Sequence, residues 1–185
     1  MLRTLTHDEM LKLWRTAAGL EPLRSDCRVE RVEGLDADAV IEPRMRSWYL
    51  RLLDTAPPQL LPVADVADRL TLTPDPAAPR AAATMPDGVR RLLSLRLTGW
   101  MRPAGPADEA EASRRAALAL NPYLRPGPYC PLCITRGRRL TAAPFEDGDI
   151  VAEAMAVTDP GPELYILDES LLDTIPDILH NYDNF

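Results

Sequence analysis

The stretch MPDGVRRLLSLRLTGWMRP, residues 85–103, constrains the fold of this chain more than any other. Its first four residues are typical of a turn, because proline fixes φ near about −65° and an Asp-Gly pair tolerates positive φ. After the turn, Leu93, Leu95 and Leu97 alternate with polar residues. Successive side chains of a strand point to opposite faces. The pattern therefore predicts one long, half-buried strand with these three leucines on one face, ended by the following Gly-Trp pair.

The composition excludes several classes of protein. At 185 residues the chain can bury roughly 70% of its unfolded surface, so it needs no disulfides to fold. No apolar run approaches the ~20 residues of a membrane helix. The formal net charge of −7 argues against a general nucleic-acid binder, since phosphate contacts need excess cations. Three cysteines form no even disulfide set, which favours a reducing compartment, and no signal peptide is predicted.

Two amphipathic helices are predicted near the N-terminus. Thr6 and Glu9 have the spacing of a capping box, and apolar residues follow at helical intervals, which predicts a helix from about Thr6 to Ala18. Pro43 suits the first position of a helix, where its missing N–H costs nothing. The second helix is therefore predicted to begin at Pro43 and to end near Asp54. The two helices should pack on each other or on the sheet.

The remainder of the chain reads as a β-rich region with proline turns. Short extended segments are predicted at residues 27–32, 63–66, 69–73, 81–84, 129–134, 139–142, 150–157 and 164–167. Helices are predicted at residues 106–120 and 170–182. These elements predict an α+β fold, with N-terminal helices and a C-terminal helix packed on a small antiparallel sheet or barrel. We expect a single domain, 1–185, made of a helical part (1–58), a β-rich part (59–167) and a C-terminal helix (168–185).

The sharpest local motif is the Cys-Pro-Leu-Cys sequence that joins Cys130 to Cys133. Such a knuckle can supply two thiolates to zinc, which needs four ligands. Cys27, His7 and His180 would have to converge on it from distant positions. A redox motif would sit at a helix N-terminus, whereas this one precedes a hairpin whose turn is predicted at Arg136 and Gly137. Two small apolar residues in a β-segment are the favoured interpretation, and a zinc site stays open as an alternative.

No set of residues has the pattern of an active site. Ser170 and Asp173 near His180 do not form a triad, because one helical surface cannot bring nucleophile, base and orienting group around a substrate. The Asp147–Asp149 turn lacks the oxygen-rich loop that calcium requires. We therefore assign no catalytic, cofactor-binding or metal-binding residue and expect no enzyme. The tryptophans are predicted to anchor the core, with Trp100 as the one best placed for an interface.

Three segments in this order resemble the head-to-tail connector proteins of tailed phages and prophages. They are MRSWYLRLLDTAPPQLLPVADVADRLTL (45–72), MPDGVRRLLSLRLTGWMRP (85–103) and NPYLRPGPYCPLCI (121–134). In that family N-terminal helices precede a β-rich part that contains a similar proline–acidic turn followed by a strand. Pro86, Asp87, Leu93 and Trp100 carry most of the likeness, which extends over residues 42–180 in the order of elements.

The resemblance implies a non-enzymatic virion structural protein, made in the host cytoplasm. Such a subunit assembles as a homo-oligomeric ring that bridges portal and tail proteins, as an adaptor, neck or tail-completion part. DNA would pass through the lumen of the ring without specific binding, and no membrane is involved. The alternative is a cytosolic protein-interaction or regulatory module, with or without a zinc site at the two neighbouring cysteines.

Overall fold

The computed structural model describes residues 1–18, 37–108, 110, 111, 113 and 125–175, and its fold is α+β, as predicted. The α-helices are α1 (His7–Ala17) and α2 (Ala37–Thr55). The strands are β1 (Leu2–Thr6), β2 (Val63–Asp65), β3 (Thr73–Pro74), β4 (Ala81–Thr84), β5 (Val89–Leu97), β6 (Pro106–Ala107), β7 (Leu132–Arg136), β8 (Arg139–Ala143), β9 (Val151–Thr158) and β10 (Leu164–Asp168). Short 3₁₀ helices are Pro58–Leu60, Ala67–Arg69 and Glu169–Thr174.

The chain divides into two compact units. The first unit comprises Met1–Pro62 and Asp159–Phe185, and the second comprises Val63–Thr158. The last strand, β10, belongs to the first unit because it pairs with β1 in antiparallel register, Thr4 opposite Ile166. The predicted single domain, with its β-rich part at residues 59–167, stays a prediction.

The start of α1 confirms the predicted capping box. The Glu9 N–H donates to the Thr6 hydroxyl at 3.3 Å, and the Thr6 N–H donates to Glu9 Oε2 at 2.8 Å. These bonds satisfy two amide donors that a helix N-terminus otherwise leaves open. Because the Thr6 backbone and hydroxyl donate to the carboxylate, the pKa of Glu9 lies below its usual value. Strand β1, which ends where this cap begins, was not predicted.

The predicted start of the second helix at Pro43 is wrong, since α2 begins at Ala37 and contains Pro43. The helix extends further because its apolar stripe does: Ile41 and Met45 are both buried. Arg15 of α1 donates from Nε to Asp38 Oδ1 at 2.7 Å and thereby fixes the first turn of α2. Tertiary packing here outweighs the helix-breaking tendency of a proline.

Aromatic residues form much of the first unit's core, and they confirm that the two helices pack on each other. Trp14 of α1 and Trp48 of α2 meet edge to face, with ring centroids 5.7 Å apart. Tyr49 of α2 meets Tyr165 of β10 in the same way at 4.9 Å. Edge-to-face pairs of this kind add to the energy of area burial.

The second unit contains two small sheets. One has the strand order β2-β9-β5, and the other has the order β3-β4-β8-β7-β6. Every pairing is antiparallel except that of β6 with β7. Their buried side chains share one core, which includes Leu95, Leu97, Leu140, Ala142 and Ala154.

The central strand β5 confirms the predicted strand, but one of its three leucines is misplaced by the prediction. Leu95 and Leu97 are fully buried, whereas Leu93 is half-exposed and Leu92 is buried instead. The register explains this difference. Leu92 lies opposite Ala156 and Ser94 lies opposite Met155. Strand β5 therefore has one extra residue, Leu93, relative to β9. This bulge at Leu93 reverses the side-chain alternation.

The strand predicted at residues 69–73 is also wrong. Ala67–Arg69 form a 3₁₀ helix, and only Thr73–Pro74 pair as a strand. Asp65 causes the turn, because its Oδ1 accepts hydrogen bonds from the Ala67 N–H at 3.0 Å and the Ala154 N–H at 2.9 Å.

Other predicted elements have mixed outcomes. Strands near residues 63–66, 81–84, 139–142, 150–157 and 164–167 are confirmed. Of the hairpin strand at 129–134, only residues from Leu132 onward are in β7. The predicted helix 106–120 is wrong at its start, where Pro106 and Ala107 form β6. Residues 110, 111 and 113 are helical, and the rest of 109–120 lies outside the described residues. The C-terminal helix is a 3₁₀ helix through Thr174, and its end lies outside the described residues, as does the segment 27–32.

Within the described part of the chain, no helix is both long and apolar enough to span a membrane.

Candidate interaction surface

The turn that follows β5 organises one end of the second unit. The Trp100 N–H donates to the Leu97 carbonyl at 3.0 Å, which closes a tight turn over Thr98 and Gly99. A Cβ atom on Gly99 would lie 2.7 Å from Asp149 Oδ1. Glycine is therefore required by the close approach of this carboxylate.

Asp149 joins this turn to the one that precedes β9. Its Oδ1 accepts hydrogen bonds from the Gly99 N–H at 2.9 Å and from the Thr98 hydroxyl at 3.0 Å. Its Oδ2 accepts from the Glu146 N–H at 3.0 Å. The Ile150 N–H in turn donates to the Thr98 hydroxyl at 3.2 Å. One carboxylate thus fixes both turns, and hydrogen bonds to a charged acceptor are among the stronger ones.

Three large apolar side chains are exposed around these turns. Met101 is 66% exposed, Tyr129 is 72% exposed and Ile150 is 64% exposed. The Met101 N–H donates to the Pro128 carbonyl at 2.9 Å, which brings Tyr129 close to Met101. The Thr98 N–H donates to the Ile150 carbonyl at 3.0 Å. We call Met101, Tyr129 and Ile150 the apolar cluster. Large exposed apolar side chains carried by turns that are joined in this way mark a candidate interaction surface.

The rim of the apolar cluster carries both signs of charge. Arg102 follows Met101 and is exposed, while Glu146 and Asp147 lie in the exposed turn before Ile150. The surface therefore combines exposed apolar side chains with a cation next to Met101 and two anions in the turn before Ile150. Such a layout is typical of protein interfaces, which have an apolar core and a polar rim.

Trp100 is not part of this surface, so its expected place at an interface is wrong. Its side chain is 3% exposed and packs in the second unit's core. Its indole Nε1 donates to the Pro144 carbonyl at 2.7 Å. All three tryptophans are buried, which confirms that they anchor the core. The residue that reaches solvent is the next one, Met101.

The two cysteines of the Cys-Pro-Leu-Cys motif differ in their surroundings. Cys130 is exposed, whereas Cys133 is fully buried in the second unit's core on β7. Burial raises the pKa of the Cys133 thiol to about 12. Zinc binds thiolate rather than thiol, so this environment opposes a two-thiolate zinc knuckle. Among the described residues, no three His, Cys, Asp or Glu side chains are grouped to hold a metal ion.

Ser170, weighed for a catalytic triad, and His7, weighed as a zinc ligand, have local structural contacts. The Ser170 hydroxyl and N–H donate to Asp168 Oδ1 at 2.8 Å and 3.1 Å, which caps the last 3₁₀ helix. His7 Nε2 lies 3.5 Å from Glu42 Oε1. His180 lies outside the described residues.

Sequence reasoning missed the apolar cluster. A signal was present, since Met101, Tyr129 and Ile150 are large apolar residues set among glycine, proline and aspartate in turn sequences. Turn positions are normally polar and exposed. A large apolar residue there is a candidate for contact with another molecule, but only the hydrogen bonds between the turns bring the three together.

Replacement of Gly99 by alanine should lower the free energy of unfolding by about 1–2 kcal/mol, because the Asp149 carboxylate must move and weaken its hydrogen bonds. Urea denaturation measures the effect. Gly105→Ala is the matched control, since the nearest heavy atom to its added Cβ is the Leu93 carbonyl oxygen at 3.9 Å. Equal stability of the Gly99 variant and the control would mean that the carboxylate does not hold the turn.

No profile of a known protein family matches the chain, and comparison with curated proteins finds no match.

Proposed function

We propose that this protein is a non-enzymatic virion structural protein, a head-to-tail connector, adaptor or neck subunit of a tailed phage that assembles as a ring of identical copies. The apolar cluster is the observation that supports the proposal. Covering three side chains that are each more than 60% exposed would remove a large apolar area from water. Apolar burial is the main driving force for association, at about 25 cal/mol per Å².

The charges at the rim favour a second copy of the chain as the partner that covers the cluster. Arg102 on one side can pair with Glu146 or Asp147 of another copy, because cations and anions flank the same apolar centre. An interface built only of one sign would repel its own copy. In a ring, the region around Arg102 of each copy would meet the region around Glu146 and Asp147 of the next copy. The same contact would then be repeated at every subunit boundary.

Native mass spectrometry and light scattering test this proposal. The wild-type chain should form a closed oligomer of its 20.5 kDa subunit, alone or after addition of portal or tail proteins. Replacing Met101, Tyr129 and Ile150 together by serine should yield a folded monomer, with at least about a tenfold weaker association constant. Circular dichroism and thermal unfolding of the variant should match those of the wild type, because the three side chains are exposed.

Two controls keep the test specific. Val40→Ser removes an exposed apolar side chain from α2 and should leave the oligomer intact. Arg102→Glu should weaken assembly, and combining it with Glu146→Arg and Asp147→Arg should restore it. A wild-type chain that stays monomeric with and without portal and tail proteins would refute the proposal and favour the interaction-module alternative. Assembly that survives the triple serine variant would place the contact elsewhere.

A further inference from the structure

The five-stranded sheet of the second unit has an open groove on the face opposite its buried core. The groove has a volume of about 770 Å³, within the range of ligand sites. Its floor is one row of residues that lie opposite one another on successive strands: Thr73, Ala82, Thr141 and Ile134. Four strands at about 4.8 Å spacing make this row about 14 Å long. Because most of these side chains are small, the floor leaves room for an extended ligand.

Cations lie at both ends of β4 beside this floor. Arg80 precedes β4, and Arg139 lies opposite Thr84 at its other end, next to Arg136 across the hairpin. All three arginine side chains are exposed and line the groove. Arg80 and Arg139 are separated by about four residues along the strand direction, which is about 13 Å. The groove therefore presents two cationic positions that one extended molecule can reach together.

Asp75 is the anion among the described lining residues. Its Oδ1 accepts from the Ala77 N–H at 2.9 Å, and Arg80 donates from Nε to its Oδ2 at 2.6 Å. The Ala77 N–H and the Arg80 guanidinium hold the pKa of Asp75 below its usual value. A guanidinium has five N–H donors, so this contact leaves Arg80 with donors for a ligand.

The groove is thus a positive region on a chain whose net charge is −7. Guanidinium groups bind carboxylates through paired hydrogen bonds. A nucleic acid brings a continuous row of phosphates, which the acidic remainder of the chain and Asp75 would repel. Spaced carboxylates match the spaced arginines better than a continuous polyanion does.

We propose that this groove binds an extended acidic peptide segment of another protein, with carboxylates on Arg80 at one end and on Arg139 and Arg136 at the other. Thr73, Thr141 and Ser113 also line the groove, and a hydroxyl can accept a hydrogen bond from a peptide N–H or donate one to a peptide carbonyl. The proposal goes beyond ring assembly, because it holds for a monomer and uses none of the residues of the apolar cluster.

Fluorescence anisotropy with a labelled peptide of alternating glutamate and glycine, about six residues long, tests the proposal, since about four residues of extended chain span the roughly 13 Å between Arg80 and Arg139. The peptide should bind, and raising NaCl from about 50 to about 300 mM should weaken binding because the contacts are ionic. The combined variant Arg136→Glu and Arg139→Glu should bind at least about tenfold more weakly. Arg90→Ala, an exposed arginine on the other sheet, is the matched control and should bind normally.

Other outcomes would overturn the proposal or assign the groove to a different ligand. Equal binding of a glutamine-for-glutamate peptide, or unchanged binding by the double variant, would overturn the proposal. Full competition by inorganic phosphate at concentrations similar to the peptide would show a site for free anions and not for a peptide. Tighter binding of a single-stranded oligonucleotide would assign the groove to nucleic acid. The triple serine variant of the apolar cluster should still bind the peptide, so failure of ring assembly and failure of this site are separable.

Discussion

Replacing Leu95 by alanine is expected to lower the free energy of unfolding by about 3–4 kcal/mol. Leu95 is fully buried on β5 and belongs to the core that both sheets of the second unit share. Its backbone is held on both sides, since it pairs with Ala154 on β9 and exchanges hydrogen bonds of 2.9 and 2.8 Å with Ala104. The strand cannot easily move to fill the space, so the substitution leaves a cavity in a close-packed interior.

The matched control is Leu93→Ala, which changes the same residue type on the same strand. Leu93 is half-exposed at the bulge, so its loss should cost no more than about 1 kcal/mol. Chemical denaturation of the two variants under identical conditions measures the difference. Equal losses would contradict the register described here, because they would mean that Leu93 faces the core together with Leu95.

The central strand was predicted correctly, but the face of one of its leucines was not. Alternating leucines predict that a strand exists, because the period of two is a property of one chain. The bulge depends on the partner, since only β9 decides that Leu92 and Ser94 face successive residues Ala156 and Met155. Nothing in residues 85–103 alone records that register.

Two other features were predicted correctly from local sequence patterns alone. The capping box of Thr6 and Glu9 and the hairpin turn at Gly137, which has φ of 57°, are settled by neighbouring residues. Strand β1 was missed because its partner lies far along the chain, with Leu2 opposite Asp168. The start of α2 was misplaced for a related reason, since Arg15 and the buried Ile41 act on it from outside the local pattern.

The candidate interaction surface was missed because it also depends on contacts between segments that are distant in sequence. Its three apolar residues come from separate turns, and hydrogen bonds from Thr98 and Met101 join those turns. Sequence reasoning ended a strand just before Met101 and began strands at Tyr129 and Ile150, but it could not bring the three residues together. It also named Trp100 as the tryptophan best placed for an interface, whereas the bond from Trp100 to the Pro144 carbonyl holds the indole in the core.

The hydroxyl of Tyr49 closes the outer edge of the two-stranded sheet in the first unit. It accepts a hydrogen bond from the Ile166 N–H at 3.0 Å and donates one to the Ile166 carbonyl at 3.1 Å. Both backbone groups of Ile166 therefore point away from β1, where Thr4 lies opposite. In an antiparallel pair such outward groups alternate with those that join the strands. The Tyr49 hydroxyl thus provides the two hydrogen bonds that a further strand would otherwise make to Ile166 of β10.

Tyr49→Phe should lower the free energy of unfolding by about 2–4 kcal/mol, because it leaves a donor and an acceptor of β10 without partners. Tyr165→Phe is the matched control. Tyr165 is also buried and packs on Tyr49, and within the described residues its hydroxyl makes no hydrogen bond. Its loss should cost within about 0.5 kcal/mol. Similar stability of both variants in urea denaturation would show that the bonds to Ile166 contribute nothing.

The same tyrosine should make stability depend on alkaline pH. Burial raises the pKa of Tyr49 from 10.0 to about 12. The unfolded chain loses this proton first, so between pH 10 and 12 the unfolded state binds fewer protons than the folded one. Stability should therefore be complete below pH 10 and fall by up to about 3 kcal/mol as pH rises through 12. In Tyr49→Phe this part of the fall should vanish, and a variant that keeps the full slope would assign the titration to another group.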